Sequence, residues 1–222
     1  MRVALVSYTS NPEFAIAAAA RLCYSPVSAT EILEKLTPGK VDSFLAGLLQ
    51  AGHLSPFEHA NFTFAIEGIS RATSHQLVRH RIASFSQQSQ RYVSFRNLPY
   101  VTPDSIAAVP EMKVEYERVV DEAHKLYCRM MEAGIPAEDA RFILPNAAST
   151  NLVMTMNARE LMHVCSVRLC LRAQWEIVHL FELVKIEVQK VAPRIAQQMK
   201  PKCYSMGFCD EHESCGLIPT LG

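Results

Sequence analysis

The stretch ANFTFAIEGISRATSHQLVRHRIASFSQQSQRYVSF (60–95) passes through two backbone patterns and indicates the fold class. Residues 60–67 alternate apolar and polar side chains, as a half-buried strand does, and residues 70–81 have the spacing of a helix. Residues 84–95 return to an extended pattern. A strand, a helix and an extended segment in succession, with no glycine-rich dinucleotide loop, predict an α+β fold rather than a doubly wound sheet.

The rest of the chain repeats these patterns and contains no repeat or linker that would divide it. We therefore expect a single domain, with a mixed or antiparallel sheet flanked by long helices. Asn11, Ser55 and Asn157 are the expected N-caps of three helical segments. Strands are predicted at 2–8 and 149–156, a brief helical turn at 55–58, and helices at 12–24, 41–52, 110–131, 137–144, 158–171 and 174–191.

The composition excludes several classes of protein. With 222 residues, 49% of them hydrophobic, the chain can bury a sizeable core. Its formal net charge of zero gives no general attraction to nucleic acid or to an anionic membrane. Seven cysteines, an odd number, follow no secretory leader or membrane-length apolar run. We expect a reducing, cytoplasmic location, with neither nucleic acid nor a membrane as partner.

Positive charge is concentrated in one region of this neutral chain. Residues 68–103 contain no Asp or Glu, yet they include five arginines. Guanidinium groups stay protonated at physiological pH, so these either face water or bind an anion. We favour a bound anion, and a solvated basic surface is the alternative. The five are Arg71, Arg79, Arg81, Arg91 and Arg96.

Three more arginines occupy unusual positions. Arg168 lies near the middle of an apolar arc on helix 158–171, so its partner is expected to be an internal carboxylate such as Glu176 or a ligand. Arg159 lies in the first turn of that helix, where the helix dipole disfavours a cation unless an anion is near. Arg141 stands among apolar residues.

Amide side chains accompany these arginines. Gln76, Arg79 and His80 are expected to share one face of helix 70–81, near its C-terminal end. Gln87 and Gln88 match the donor and acceptor edge of a base or a pteridine-like ring, and bidentate arginine matches phosphate or carboxylate. With no evident metal cluster, the pattern indicates a site for more than one anionic small molecule.

Four ordered blocks of sequence resemble the flavin-dependent thymidylate synthases. Arg79-His80-Arg81, followed after seven residues by Ser89 and Gln90-Arg91-Tyr92, is similar to the signature of that family. The other blocks are GHLSPFEHANFTF (52–64), EDARFILP (138–145) and MNARELMHVCSVRLCLRAQWEI (156–177). The resemblance covers nearly the whole chain before Pro201, which gives a domain at 1–200 and a cysteine-containing tail at 201–222.

The resemblance implies a homotetramer with active sites at subunit interfaces, which bind FAD, dUMP, methylenetetrahydrofolate and NADPH. Gln87 and His163 occupy positions where the family also has Glu and Asn, respectively. The residues assigned to the substrate are Gln76, Arg79, Gln87, Gln88, Ser89, Gln90, Arg91, Arg141 and Arg168. Those assigned to the flavin and folate region are His53, Ser55, Glu58, Arg79, His80, Arg81, Gln87, Asn157, Arg159 and His163.

The resemblance also implies the reaction, a reductive methylation of dUMP to dTMP. Methylenetetrahydrofolate supplies the carbon, and FAD reduced by NADPH supplies the electrons. Arg168 and Ser89 are the two candidates for a direct catalytic role. Arg168 would polarise the pyrimidine as negative charge develops on it. Ser89 is expected to be a binding hydroxyl rather than a nucleophile, because no general base can be assigned to it.

Two other functions compete with this interpretation. An RNA-binding module would use the arginines together with Phe85, Tyr92 and Phe95, although the neutral charge argues against it. A metal hydrolase would use the histidines, but none has the spacing of the helical metalloprotease motif. The histidines concerned are His53, His59, His75 and His80.

The tail is open to two interpretations. Cys203, Cys209 and Cys215 are evenly spaced, with His212 among them, so they could bind zinc. The gaps between them exceed those of most zinc sites, and a flexible reduced tail is the simpler expectation. No metal is assigned to the active site.

Overall fold

The computed structural model describes residues 1–94 and 97–220. Phe95 and Arg96, which belong to the predicted extended segment and basic region, lie outside the described residues. The strands are β1 (Arg2–Tyr8), β2 (Asn61–Ser70), β3 (Ala83–Gln87) and β4 (Ser149–Asn157). The α-helices are α1 (Pro12–Leu22), α2 (Ala29–Lys35), α3 (Pro38–Gln50), α4 (Arg71–Leu77), α5 (Asp104–Ala107), α6 (Pro110–Glu132), α7 (Ala137–Ala140), α8 (Ala158–Arg168), α9 (Trp175–Gln189), α10 (Pro193–Gln198) and α11 (Lys202–Met206), with 3₁₀ turns at Ser55–His59 and Arg141–Ile143.

The four strands form one sheet in the order β1-β2-β4-β3. Thr9 N donates to Asn61 O at one end of the β1–β2 pair, and Gly68 lies close to Met1 at the other, so this pair is antiparallel. Along β2 and β4, Thr63 faces Thr155 and Gly68 N donates to the Asn151 side chain, so this pair is antiparallel too. The predicted α+β class is confirmed.

Side-chain caps explain where some helices begin. Asn157 Oδ1 accepts from Glu160 N at 2.8 Å and starts α8, as predicted. Ser70 Oγ accepts from Thr73 N at 3.0 Å and starts α4. Asn11 occupies the N-cap position of α1, with Pro12 as the first helical residue, as predicted, whereas the predicted cap at Ser55 is wrong. Asn11 has a left-handed backbone (φ 48°) and no side-chain cap, and Ser55 is the first residue of a 3₁₀ turn that Leu54 precedes.

Backbone contacts separate the chain into two compact units. Unit 1 contains residues 1, 66–79 and 86–152, and unit 2 contains 2–65, 80–85 and 153–222. The stretches of the two units alternate along the sequence, so no chain boundary divides them into successive domains, which agrees with the predicted single domain. β2, β3 and β4 each pass from one unit into the other.

Each unit has an apolar core of its own. In unit 1, Tyr127 and Val120 of α6 are buried with Leu98, Ala140 and Ala148. In unit 2, α9 packs against β1 and α10, and α1 packs against α2 and α3. Phe57, Phe62, Phe64 and Phe181 of unit 2 are fully buried, and each contributes about 1.5–3 kcal/mol through removal of its ring from water. Within the described residues, no helix is both long and apolar enough to cross a membrane.

The largest difference from the predicted elements is the end of α4. The apolar spacing predicts a helix through Arg81, but α4 ends at Leu77, and residues 78 and 79 form a turn. Arg79 and His80 therefore do not share a helical face with Gln76, and that prediction is wrong. The short helices α2, α5, α10 and α11 were not predicted from the sequence.

Candidate functional site

The predicted site residues divide between the two units. Those assigned to the substrate lie in unit 1, except Arg168, and those assigned to the flavin and folate lie in unit 2, except Arg79 and Gln87. We describe each group within its own unit. The unit 1 group is called the arginine cluster (Arg71, Arg91, Arg141 and Glu138), and the unit 2 group is called the His80 cluster (His80, Glu160, His163 and Arg168).

The arginine cluster is arranged around one carboxylate. Arg91 makes a two-nitrogen contact with Glu138 Oε2, at 3.0 Å from Nε and 2.9 Å from Nη2. Arg141 Nε donates to the backbone carbonyl of Glu138 at 3.0 Å. Arg91 also lies over the Tyr92 ring, 5.4 Å from its centroid. The cluster has more cationic groups than carboxylates and is suited to a second anion.

Arg71 is the least satisfied member of this cluster. As the first residue of α4, it donates from Nη2 to the Gln88 carbonyl at 2.8 Å, while its buried Nε has no hydrogen-bond partner. Burial, followed by the positive charge of Arg141, lowers the pKa of Arg71. A buried donor without an acceptor is costly, so this nitrogen favours an incoming oxygen ligand. The sequence placed Arg71 in the basic region but did not assign it to the site.

Two of the predicted glutamines, Gln87 and Gln88, are hydrogen-bonded to β4. Gln87 Nε2 donates to Thr150 Oγ1 at 3.3 Å, and Gln88 N donates to Asn151 O at 2.9 Å. Gln76 is half-buried in the last turn of α4, and Gln90 is half-buried in the turn that follows β3. Arg79 is exposed beyond the end of α4.

Ser89 organises a turn. Its Oγ accepts from Arg91 N at 3.2 Å, and its carbonyl accepts from Val93 N at 3.0 Å. These contacts fix the backbone on which Arg91 stands. They support a positioning or binding role more than a nucleophilic one, since a nucleophilic serine needs an adjacent general base.

The His80 cluster centres on a hydrogen bond between a guanidinium and an imidazole. Arg168 Nε, in the last residue of α8, donates to His80 Nε2 at 3.0 Å. On the other side of the ring, Nδ1 lies 3.9 Å from Glu160 Oε1. Glu160 and Arg168 are eight positions apart on α8, so they lie two turns apart on one face. The sequence suggested a carboxylate such as Glu176 or a ligand as the partner of Arg168, and the imidazole of His80 is a partner that it did not suggest.

His80 is neutral in this environment. Burial, then the nearby charges of Arg168 and His163, lowers the pKa of His80 to about 4. The 3.9 Å contact with Glu160 is consequently not an ion pair at neutral pH. Because Nε2 accepts from Arg168, the ring proton is assigned to Nδ1, facing Glu160. Burial raises the pKa of Glu160, and His163 and Arg159 oppose that shift.

A second contact anchors the start of α8. Arg159 Nη1 pairs with Glu58 Oε1 at 2.5 Å, and Ala158 N donates to Ala60 O at 2.8 Å. Glu58 is therefore the anion that the sequence required near Arg159. Among the other predicted flavin residues, Asn157 caps α8, while His53, Ser55, Arg81 and His163 are exposed.

The sequence favours a bound ligand as the anion beside the arginines, but for two of them the anion in the structure is a carboxylate of the chain itself. Glu138 pairs with Arg91 and Glu58 pairs with Arg159, from 47 and 101 positions away. Pairs so distant in sequence cannot be read from local charge. Both are half-exposed ion pairs, worth about 0–1 kcal/mol each, so a ligand anion can displace either carboxylate at low cost.

Neither metal interpretation gains support. Within residues 1–94 and 97–220, no three His, Cys, Asp or Glu side chains are placed to hold one ion. The tail is more ordered than the sequence predicts: it contains α11, and Cys209 forms a β-bridge with Thr220. Lys202 of α11 pairs with Asp210 and Glu211, each at 3.0 Å.

The chain is similar to known proteins over most of its length. A family profile described as "Thymidylate synthase complementing protein" matches residues 4–194. A flavin-dependent thymidylate synthase of Geobacter sulfurreducens is 50% identical over 214 residues, which cover 95% of this chain and 91% of that protein. One of Clostridium tetani is 44% identical over an alignment of 238 positions, which covers 100% of this chain and 95% of that protein. Among solved structures, a "UMP/dUMP methylase PolB from Streptomyces cacaoi bound with 5-Br dUMP" has a TM-score of 0.80 at 26% identity, covering 89% of this chain and 93% of that one.

Proposed function

The chain belongs to the flavin-dependent thymidylate synthase family, and from this membership we propose that it methylates dUMP to dTMP. Methylenetetrahydrofolate is the proposed one-carbon donor, and FAD reduced by NADPH is the proposed electron source. The arginine cluster is the observation in the structure that best supports an anionic nucleotide as the substrate.

The 5′-phosphate is assigned to the arginine cluster. The buried Nε of Arg71 lacks an acceptor, and Arg141 lies near enough to lower the pKa of Arg71. A phosphate dianion supplies the missing acceptor and offsets the repulsion between the two guanidinium groups. Arg91 joins them when the phosphate replaces Glu138. Gln76, Arg79, Gln87, Gln88, Ser89 and Gln90 are assigned to the sugar and base.

Arg168 is assigned to the pyrimidine ring. Negative charge develops on the ring oxygens when C5 becomes nucleophilic, and a fixed guanidinium stabilises that charge. His80 holds Arg168 through Nε, which leaves the remaining guanidinium edge oriented. His80 does this as a neutral imidazole, so this hydrogen bond is not an ion pair. The role assigned to Glu160 is to keep the His80 proton on Nδ1.

The flavin region is assigned to exposed groups of unit 2. Imidazole and guanidinium donors suit the diphosphate of FAD, and His53, Arg81, Arg159 and His163 supply such donors. Ser55, Glu58 and Asn157 complete the set, with Asn157 acting through its cap of α8. FAD supplies hydride chemistry when bound, and the side chains orient it and exclude water.

We propose the quaternary structure from the same family membership. A homotetramer with active sites at subunit interfaces allows the two sets of residues in one site to come from different protomers. Residues 1–200 form the synthase domain in this proposal, and the enzyme works in the cytoplasm.

A direct assay tests the function. Purified chain with added FAD should show flavin absorption that NADPH bleaches without oxygen, and it should convert dUMP and methylenetetrahydrofolate to dTMP, measured by mass spectrometry. Omission of NADPH is the matched control and should abolish the product. If NADPH bleached the flavin absorption but no dTMP formed, the chain would be a flavin-binding protein and the proposed methylation would be wrong.

A further inference from the structure

A cavity of about 440 Å³ lies within unit 2, between the end of α8 and the tail. It is lined by Cys170, which follows α8, and by three tail cysteines, Cys203, Cys209 and Cys215. Four of the seven cysteines of the chain thus line one cavity. The roles assigned to the active site use none of them.

Cys203 lies near two of the other thiols, Cys170 and Cys209. Burial raises the pKa of Cys203, and the neighbouring Cys170 and Cys209 raise it further. α11, which carries Cys203, packs against α8. All four cysteines are free thiols in the structure. Among the residues that the structure describes, no three His, Cys, Asp or Glu side chains are placed to hold one metal ion.

Accessibility separates the four thiols. Cys170 and Cys203 are half-buried, so a small molecule in the cavity can reach both. Cys209 is buried, and its backbone is fixed to Pro219 by a 2.7 Å hydrogen bond. Cys215 is exposed. Cys170 and Cys203 therefore form the accessible pair that links the end of α8 to α11.

The charge around the cavity favours an anionic reagent. Lys185, Lys200, Lys202 and Arg172 line it, against the two carboxylates Asp210 and Glu211, which already pair with Lys202. Arg172 pairs with Glu213 at 2.7 Å. The excess of cations attracts glutathione disulfide, which carries net negative charge.

We propose that Cys170 and Cys203 are a modification site, at which glutathione disulfide forms a reversible disulfide bond. One protein thiolate attacks a sulfur of glutathione disulfide, which gives a mixed disulfide and releases one glutathione. The second protein thiolate attacks the protein sulfur of that bond and releases the other glutathione. Two protein thiols are oxidised to one disulfide, one glutathione disulfide is reduced to two glutathiones, and the two protons lost by the protein thiols are taken up by the two departing glutathione thiolates.

Thiol mapping of the full chain tests this site. The reduced protein is treated with glutathione disulfide, its free thiols are blocked with N-ethylmaleimide, and the non-reduced digest is examined by mass spectrometry. We expect a peptide that joins Cys170 to Cys203, with loss of their labelling and its full return after dithiothreitol. Cys23 and Cys128 should stay labelled throughout.

Two controls keep the result decisive. Cys203→Ser should abolish the cross-linked peptide, whereas Cys128→Ser in unit 1 should leave it unchanged. Denatured chain treated in the same way should give a mixture of pairs, since selectivity comes from the fold. Unchanged labelling of Cys203 in the native protein, a bond to Cys209 or Cys215, or a mixed glutathione disulfide alone would overturn the proposal.

Discussion

The arginine cluster of unit 1 and the His80 cluster of unit 2 both contain guanidinium groups, but they hold them differently. Arg91 is 49% exposed and faces a carboxylate, Glu138, that is 52% exposed. Arg168 donates to the ring of His80, which is only 11% exposed and carries no charge at neutral pH. The first arrangement keeps a cation ready to exchange one anion for another. The second fixes the direction of a cation, which is what stabilising a transition state requires.

Among the substitutions in the two clusters, those of Arg168 are expected to have the largest effect on kcat. Arg168→Ala should lower kcat by roughly 100–1,000-fold, the effect of losing one preorganised donor, while flavin binding is retained. Arg168→Lys keeps the charge but loses the planar contact with His80, so it should remain at least about tenfold below wild type. Steady-state kinetics with dUMP check both variants. Near-normal turnover in Arg168→Ala would show that the orientation of Arg168 does not contribute to the chemical step, and the proposed difference between the two clusters would be wrong.

Arg141 tests the binding side of the comparison. Arg141→Ala should raise KM for dUMP roughly 10–100-fold, because a charge-assisted hydrogen bond to phosphate is lost, and should leave kcat within a few fold. Arg118→Ala is the matched control, since Arg118 lies on the exposed side of α6 and pairs with Glu115 and Glu122. A fall in kcat at unchanged KM would place Arg141 in the chemical step instead.

The lowered pKa of His80 should make the stability of the folded chain depend on pH. Its pKa is about 4 in the folded chain and ordinarily 6.5, so between these values the unfolded chain binds the additional proton. The free energy of unfolding should therefore fall as pH falls from 6.5 to 4. The raised pKa of Glu160 acts in the opposite direction, and Arg168 and His163 are the other charged or titratable groups near the ring.

The variant His80→Gln removes this contribution. Its Tm should change less steeply with pH between 4 and 6.5 than the Tm of wild type, as followed by thermal unfolding. Glu160→Gln serves as the opposite control and should make the dependence steeper. Identical slopes in wild type and His80→Gln would show that the imidazole is not held neutral by its surroundings.

Glu138 should give the smallest effect, and one of opposite sign. Glu138→Gln removes the carboxylate that competes with phosphate for Arg91, so KM for dUMP should fall by roughly two- to fivefold, within the range of a surface ion pair. Titration with dUMP measures this directly. A higher KM would mean that Glu138 positions Arg91 and does not compete with the ligand.

Local rules were sufficient for much of the fold. The strand at β1, the alternation in β2, the length of α6, and the cap of α8 by Asn157 follow from neighbouring residues, and the structure agrees. α4 was predicted too long, because the apolar spacing continues past Leu77 where the chain turns. α10 begins at Pro193, and α11 begins just after Pro201 in the tail, for which a flexible segment was the simpler expectation.

Long-range partners account for what the sequence missed at the site. The resemblance named Arg91, Arg159 and Arg168, but their contacts with Glu138, Glu58 and His80 span 47, 101 and 88 positions. The sequence also did not show which of the charged groups are buried. The unpaired Nε of Arg71 depends on packing that no local pattern encodes.

The central claim is that the arginine cluster recognises the phosphate of the nucleotide, and one comparison of ligands tests it. Calorimetry with FAD present would measure the affinities for dUMP and deoxyuridine in wild type and in Arg71→Ala, and the ratio of the two cancels any general structural effect of the substitution. We expect dUMP to lose its advantage over deoxyuridine by about tenfold or more in the variant, as a charge-assisted hydrogen bond predicts. An unchanged ratio would mean that the phosphate lies elsewhere and would contradict the account.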